Sequence, residues 1–122
     1  MTLEEIRASR KIHDAVWTYN LCASVSLTEA QWQAMEAILK ELLETVQHDR
    51  HAVTEKTLYA LFTGTTCKIE ALLGTSVLDE SAVYEYGGLN SLYAEIVEAF
   101  GFPVKYGQYA LISDFVYFKN DN

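Results

Sequence analysis

The stretch that decides the fold lies at residues 28–46, which read TEAQWQAMEAILKELLETV. Thr28 followed three residues later by Gln31 is a capping-box pattern, in which the two side chains satisfy the first free amides of a helix. The apolar side chains then recur at alternating steps of three and four: Trp32, Met35, Leu39, Leu42 and Val46. This period predicts an amphipathic helix, and Ile38 and Leu43 give its apolar face the breadth that a globular core requires.

The same stretch leaves two points open. Ser26 and Glu29 repeat the capping pattern two residues earlier, so the helix begins at one position or the other. The apolar stripe is also compatible with a seam between two chains. It persists for only about two heptads, however, which favours packing inside one domain. A homodimer through this stripe is therefore an alternative rather than the main prediction.

An N-terminal helix is predicted as one element over residues 2 to about 23. Thr2 can cap it, and acidic residues in its first turn suit the positive end of the helix dipole. Its apolar stripe comprises Ile12, Val16, Trp17 and Tyr19.

The compact basic cluster of the chain consists of Arg7, Arg10 and Lys11. It is either a docking patch for an acidic group or a solvated helix face. The solvated face is favoured, because nearby acids can pair with these side chains: Glu4, Glu5 and Asp14.

A third helix is predicted to follow a loop at residues 48–51 and to begin after a Thr54 cap. Its apolar face comprises Leu58, Leu61, Phe62, Ile69, Leu72 and Leu73. Gly64, followed by two β-branched residues, weakens the helix, so a kink or two shorter helices are expected. Gly74 is suited to end it.

The C-terminal third predicts a change of structural class. Residues 76–86 are compatible with a short helix or a loop. A fourth helix is expected to begin at Asn90 or Ser91 and to end at Gly101, with its inward face formed by Leu92, Ile96, Val97 and Phe100. Runs at 104–106, 109–112 and 115–118 are β-prone. The predicted fold class is therefore α+β, mainly helical with about four helices, followed by a small C-terminal antiparallel β-hairpin or three-stranded element.

Size and charge restrict the function. The chain has 122 residues, enough for a single globular domain over residues 1–122, and a formal net charge of −8. An acidic chain is a poor ligand for nucleic-acid backbones or anionic membranes, and it suits a basic partner. No apolar run approaches a membrane span, and the first residues do not resemble a signal peptide, so a cytoplasmic location is expected. Cys22 and Cys67 are expected to be free and buried.

Catalytic, cofactor and metal motifs do not emerge from the sequence. No nucleophile motif accompanies the histidines, and no phosphate-binding glycine pattern is present, so no catalytic residue and no cofactor are predicted. His48 and His51 have a spacing that suits zinc on a helix, but two ligands do not make a site and no metal is predicted.

An acidic segment with tyrosines is the strongest functional signal. No lysine or arginine occurs between Ile69 and Val104. Tyrosines are efficient interface residues, and carboxylates favour association with a basic surface. The predicted partner-binding residues are Asp79, Glu80, Tyr84, Glu85, Tyr86, Tyr93, Glu95 and Glu98.

These observations predict a non-catalytic acidic protein that blocks or sequesters a basic partner, such as a nuclease or a nucleic-acid-binding protein. Immunity proteins, antitoxins and phage-encoded inhibitors of defence nucleases use this surface chemistry, which is an analogy and not a family resemblance. The alternatives are a small homo-oligomeric adaptor, or an enzyme with an unrecognised site. A cleft with converging carboxylates and histidine would favour the enzyme.

Overall fold

Helices form the whole of the regular structure in the described part of this computed structural model, which covers residues 2–22, 27–74 and 88–103. Their bounds are α1 Leu3–Ala8, α2 Lys11–Cys22, α3 Glu29–His48, α4 Glu55–Leu73 and α5 Gly88–Ala99. None of these helices combines the length and the apolar character needed to cross a membrane.

The predicted helix α3 is confirmed, and its first turn has the expected cap. The Thr28 hydroxyl accepts a hydrogen bond from the Gln31 backbone N–H at 3.2 Å. The Gln31 side-chain oxygen accepts one from the Thr28 backbone N–H at 3.0 Å. The buried face comprises Met35, Leu39, Leu42, Leu43 and Val46. Since this stripe lies in the core of its own domain, it is not available as a seam with a second copy.

The N-terminal segment forms two helices, so the prediction of one continuous helix is wrong. Ser9 has an extended backbone, with ψ at −177°. Its hydroxyl donates a hydrogen bond to the Ile6 carbonyl at 2.7 Å and accepts one from the Lys11 backbone N–H at 3.1 Å. Serine competes for backbone groups in this way, and here one side chain both ends α1 and starts α2.

Helix α4 runs without interruption from its Thr54 cap to Gly74, so the expected break at Gly64 does not occur. Buried side chains on both sides of Gly64, among them Phe62 and Ile69, hold the helix in the core. Tertiary packing therefore outweighs the weak helix propensity of glycine. Gly74 ends the helix as predicted, with φ at +68°.

Replacing Gly64 by alanine is expected to raise the free energy of unfolding by about 0.5–1 kcal/mol, because alanine loses less backbone entropy in a helix. The added Cβ would meet no atom within 4 Å. Urea unfolding followed by circular dichroism measures the change. Gly74→Ala is the matched control and should lower stability, since its positive φ disfavours a side chain. A destabilised Gly64→Ala would contradict the open position of Gly64.

The α+β prediction is wrong for the described residues, which contain five helices and no strand. Helix α2 packs most extensively on α5, and α3 on α4, so the apolar faces cover one another without a sheet. Helix α5 begins at Gly88, earlier than predicted, and ends before Gly101 as expected. The predicted β-prone runs at 104–106, 109–112 and 115–118, and the ambiguous segment 76–86, lie outside the described residues.

Two side chains that were expected inside lie at the surface. Trp17 is 51% exposed, because it follows Val16 and is rotated by one helical step away from the buried stripe. Cys67 is a free thiol and is exposed, since it lies on the outer side of α4 with Gly64.

Candidate functional site

Tyr93, one of the predicted contact residues, lies in the core. Its ring is fully buried and stacks on Phe62, with ring centroids 4.3 Å apart and planes 10° from parallel. Its hydroxyl lies 3.1 Å from the Thr66 hydroxyl, which joins α5 to α4. Burial raises the pKa of Tyr93 well above its ordinary value. Tyr93 therefore offers no surface to a partner, which corrects its predicted role.

Glu95 and Glu98 are the predicted contact residues that the structure places at the surface. Glu98 is exposed, and the Glu95 side chain is 23% exposed with one oxygen 3.5 Å from the Lys11 ammonium. Three residues apart on α5, they share one face of the helix. The other predicted contacts, Asp79, Glu80, Tyr84, Glu85 and Tyr86, lie outside the described residues.

A cleft of about 440 Å³ separates the corner between α1 and α2 from the side of α3. Its lining combines basic, acidic and apolar side chains: Arg7, Ser9, Arg10, Ile12, His13, Glu36, Lys40, Leu43 and Glu44. The basic cluster at one wall of this cleft is visible in the sequence, whereas the cleft itself is not.

Glu36 is the centre of the polar contacts in the cleft. Its Oε1 accepts the Trp32 indole N–H at 2.9 Å and lies 3.3 Å from His13 Nδ1. Its Oε2 lies 3.9 Å from the Lys40 ammonium. The His13 ring also packs against Trp32, with centroids 5.4 Å apart. These contacts fix Glu36 and His13 as one cluster between α2 and α3.

The basic cluster is exposed at Arg7 and Arg10, as a solvated face requires, but the predicted pairing with Glu4, Glu5 and Asp14 is wrong. Glu4 instead binds Arg50 at 2.9 Å. Lys11 lies against Glu95, and Arg7 donates to the neutral Gln47 side chain at 3.3 Å.

The histidines considered as zinc ligands, His48 and His51, are exposed where α3 leads into α4. Across the described ranges, no three His, Cys, Asp or Glu side chains come together in a way that could hold a metal ion.

The described fold is thus a five-helix domain with a mixed-charge cleft and an acidic face on α5. Comparison with protein-family models, curated proteins and solved structures gave no match.

Proposed function

We propose that this chain is a non-catalytic acidic binding protein that blocks or sequesters a basic macromolecule in the cytoplasm. The observation that carries the proposal is the acidic face of α5, where Glu98 is exposed and Glu95 is partly exposed beside Lys11. The range 70–104, which contains both residues, has no lysine or arginine. The segment 79–86 adds three more acidic residues and two tyrosines in sequence, which the proposal assigns to the same binding surface.

The ion pairs of the described residues support this proposal. Within the described ranges, four basic side chains are already engaged by carboxylates of the same chain: Lys11, Lys40, Arg50 and Lys68. The chain carries a formal net charge of −8, so its acidic side chains outnumber its lysines and arginines by eight. Such a surface attracts basic proteins over long range and repels acidic ones.

The partner class follows from this charge. A nuclease or a nucleic-acid-binding protein presents clustered lysine and arginine side chains. An acidic domain that occupies those side chains competes with the nucleic acid for the same surface. This is the chemistry of immunity proteins, antitoxins and phage-encoded inhibitors of defence nucleases, and the proposal places the chain in that functional class without a family assignment.

Reversing Glu98 to lysine is expected to weaken partner binding by roughly three- to tenfold, because an exposed pair becomes a like-charge contact. Glu98 is a sharper choice than Glu95, which already contacts Lys11. The partner is first captured from native lysate and identified by mass spectrometry. The dissociation constant is then measured by calorimetry at several salt concentrations, and affinity should fall as salt rises.

The matched control for this experiment is Asp49→Lys, which makes the same charge change at an exposed residue between α3 and α4. It should leave the affinity within about twofold of wild type if the acidic face of α5 is the contact. Binding that is insensitive to salt and unchanged in Glu98→Lys would refute the proposal.

A further inference from the structure

We propose that the cleft between the α1–α2 corner and α3 binds the phosphate group of a small organic phosphate through Arg7 and Arg10. This site is separate from the acidic face of α5 and does not depend on the function proposed for that face. The cleft would be a local anion-binding site in a protein that is acidic as a whole.

Unneutralised positive charge at the cleft is the first support. Within the described ranges, three basic side chains form no ion pair with a described carboxylate: Arg7, Arg10 and Lys56. Two of these three line the same cleft. Arginine that is not neutralised by a carboxylate can offer its N–H donors to a planar or tetrahedral oxyanion. One Arg7 nitrogen already donates to the neutral Gln47 side chain, which leaves its other N–H groups for the anion.

The carboxylates in the cleft must also be considered, because they oppose an anion. Both oxygens of Glu36 are engaged, one by Trp32 and His13 and the other by Lys40. These contacts offset part of its charge and hold Glu36 beside His13. Glu44 is exposed at the edge of the cleft and remains an opposing charge. Removing the Glu44 charge should therefore strengthen anion binding, whereas removing an arginine charge from the cleft should weaken it.

The ligand class follows from the size of the cleft and from the helix beside it. A volume of about 440 Å³ falls in the range of small-molecule sites, roughly 300–1,000 Å³. Ile12 and His13, in the first turn of the twelve-residue helix α2, line the same cleft. The positive end of that helix adds to the arginine charges. Several positive groups around one volume favour a dianionic phosphate monoester over a single carboxylate, and Leu43 adds apolar surface for its organic part.

Phenyl phosphate is the probe for a titration of the full chain, followed by ¹H–¹⁵N NMR. The two tryptophans give the readout. Neither lines the cleft, but the Trp32 indole N–H donates to the lining residue Glu36, whereas the Trp17 side chain is 51% exposed to solvent. We expect a saturable shift of the Trp32 indole signal with little change at Trp17. Benzoate, a monoanion, should bind at least about tenfold more weakly. Inorganic phosphate in a separate titration shows how much of the affinity comes from the phosphate group alone.

Three variants make the assignment specific. Arg10→Gln should weaken phenyl phosphate binding by about tenfold or more, since a charge-assisted hydrogen bond is lost. Glu44→Gln should bind more tightly than wild type. Lys56→Gln is the matched control, because it removes an equal charge from an exposed residue of α4. It should bind within about twofold of wild type.

The proposal is overturned by any of three results. These are a Trp32 signal that does not saturate at millimolar phenyl phosphate, equal affinity for benzoate, or equal weakening in Lys56→Gln and Arg10→Gln. Circular dichroism of each variant confirms the fold, and the exposed positions of Arg10, Glu44 and Lys56 make these substitutions compatible with folding.

Discussion

Replacing Phe62 by alanine is expected to lower the free energy of unfolding by about 3–5 kcal/mol, a large part of the stability of a domain of this size. Phe62 is fully buried on α4, stacks on Tyr93 of α5, and lies edge-on to Tyr59 at 6.1 Å. Truncation removes these contacts and leaves a cavity between two helices. Urea unfolding monitored by circular dichroism measures the loss.

Two companion variants show whether the loss comes from the Phe62 site. Leu61→Ala changes the neighbouring residue on α4, which is only partly buried, and should cost clearly less. Phe62→Leu keeps apolar volume but loses the aromatic stack, so it should fall between wild type and Phe62→Ala. Equal losses for Leu61→Ala and Phe62→Ala would contradict the central position of Phe62.

The second large effect is a loss of stability at alkaline pH that depends on Tyr93. Burial raises the pKa of Tyr93 above the ordinary value of 10.0, although the hydrogen bond with Thr66 opposes the rise. Above about pH 10 the unfolded chain loses this proton while the folded chain keeps it. Deprotonation then favours the unfolded state, so stability is full below pH 10 and falls above it. The contribution of Tyr93 is at most about 1.4 kcal/mol per pH unit.

Tyr93→Phe isolates this contribution in urea unfolding measured from pH 8 to pH 11. At pH 8 the variant should be less stable by about 1 kcal/mol, because the hydrogen bond with Thr66 is lost. The difference should shrink or reverse by pH 11, since phenylalanine has no proton to lose. Thr66→Val is the control, because it lacks the same hydrogen bond but should keep the alkaline loss. Parallel curves for wild type and Tyr93→Phe would count against a buried, protonated Tyr93.

Local patterns were sufficient to predict most of the helices. The cap at Thr28 and the apolar period of α3 depend on residues within one or two turns, and both are confirmed. The points where helices break were harder to predict, because they depend on whether local side-chain hydrogen bonds or tertiary packing dominate. At Ser9 the side chain hydrogen-bonds to two backbone groups and ends the first helix. At Gly64 core packing keeps the helix continuous despite the low helix propensity of glycine.

The candidate site was predicted only in part. The basic cluster is visible in the sequence, but the cleft also needs Glu36 and Lys40, which tertiary packing brings from α3. Tyr93 was assigned to the surface because tyrosine suits both interfaces and cores. A signal for burial was present, since Leu89, Tyr93 and Ile96 recur at the helical spacing of one buried face.

The short helix α1 has a consequence for the whole N-terminal corner. Six residues are too few for a helix to be stable alone, so α1 persists only while it is docked. Leu3 and Ile6 anchor it in the core. Glu4 binds Arg50, just beyond the end of α3, and Arg7 donates to Gln47 in the last turn of α3. Detachment of α1 would remove Arg7 from the cleft. Binding of the proposed ligand to Arg7 in the cleft is therefore expected to slow hydrogen exchange at the α1 amides.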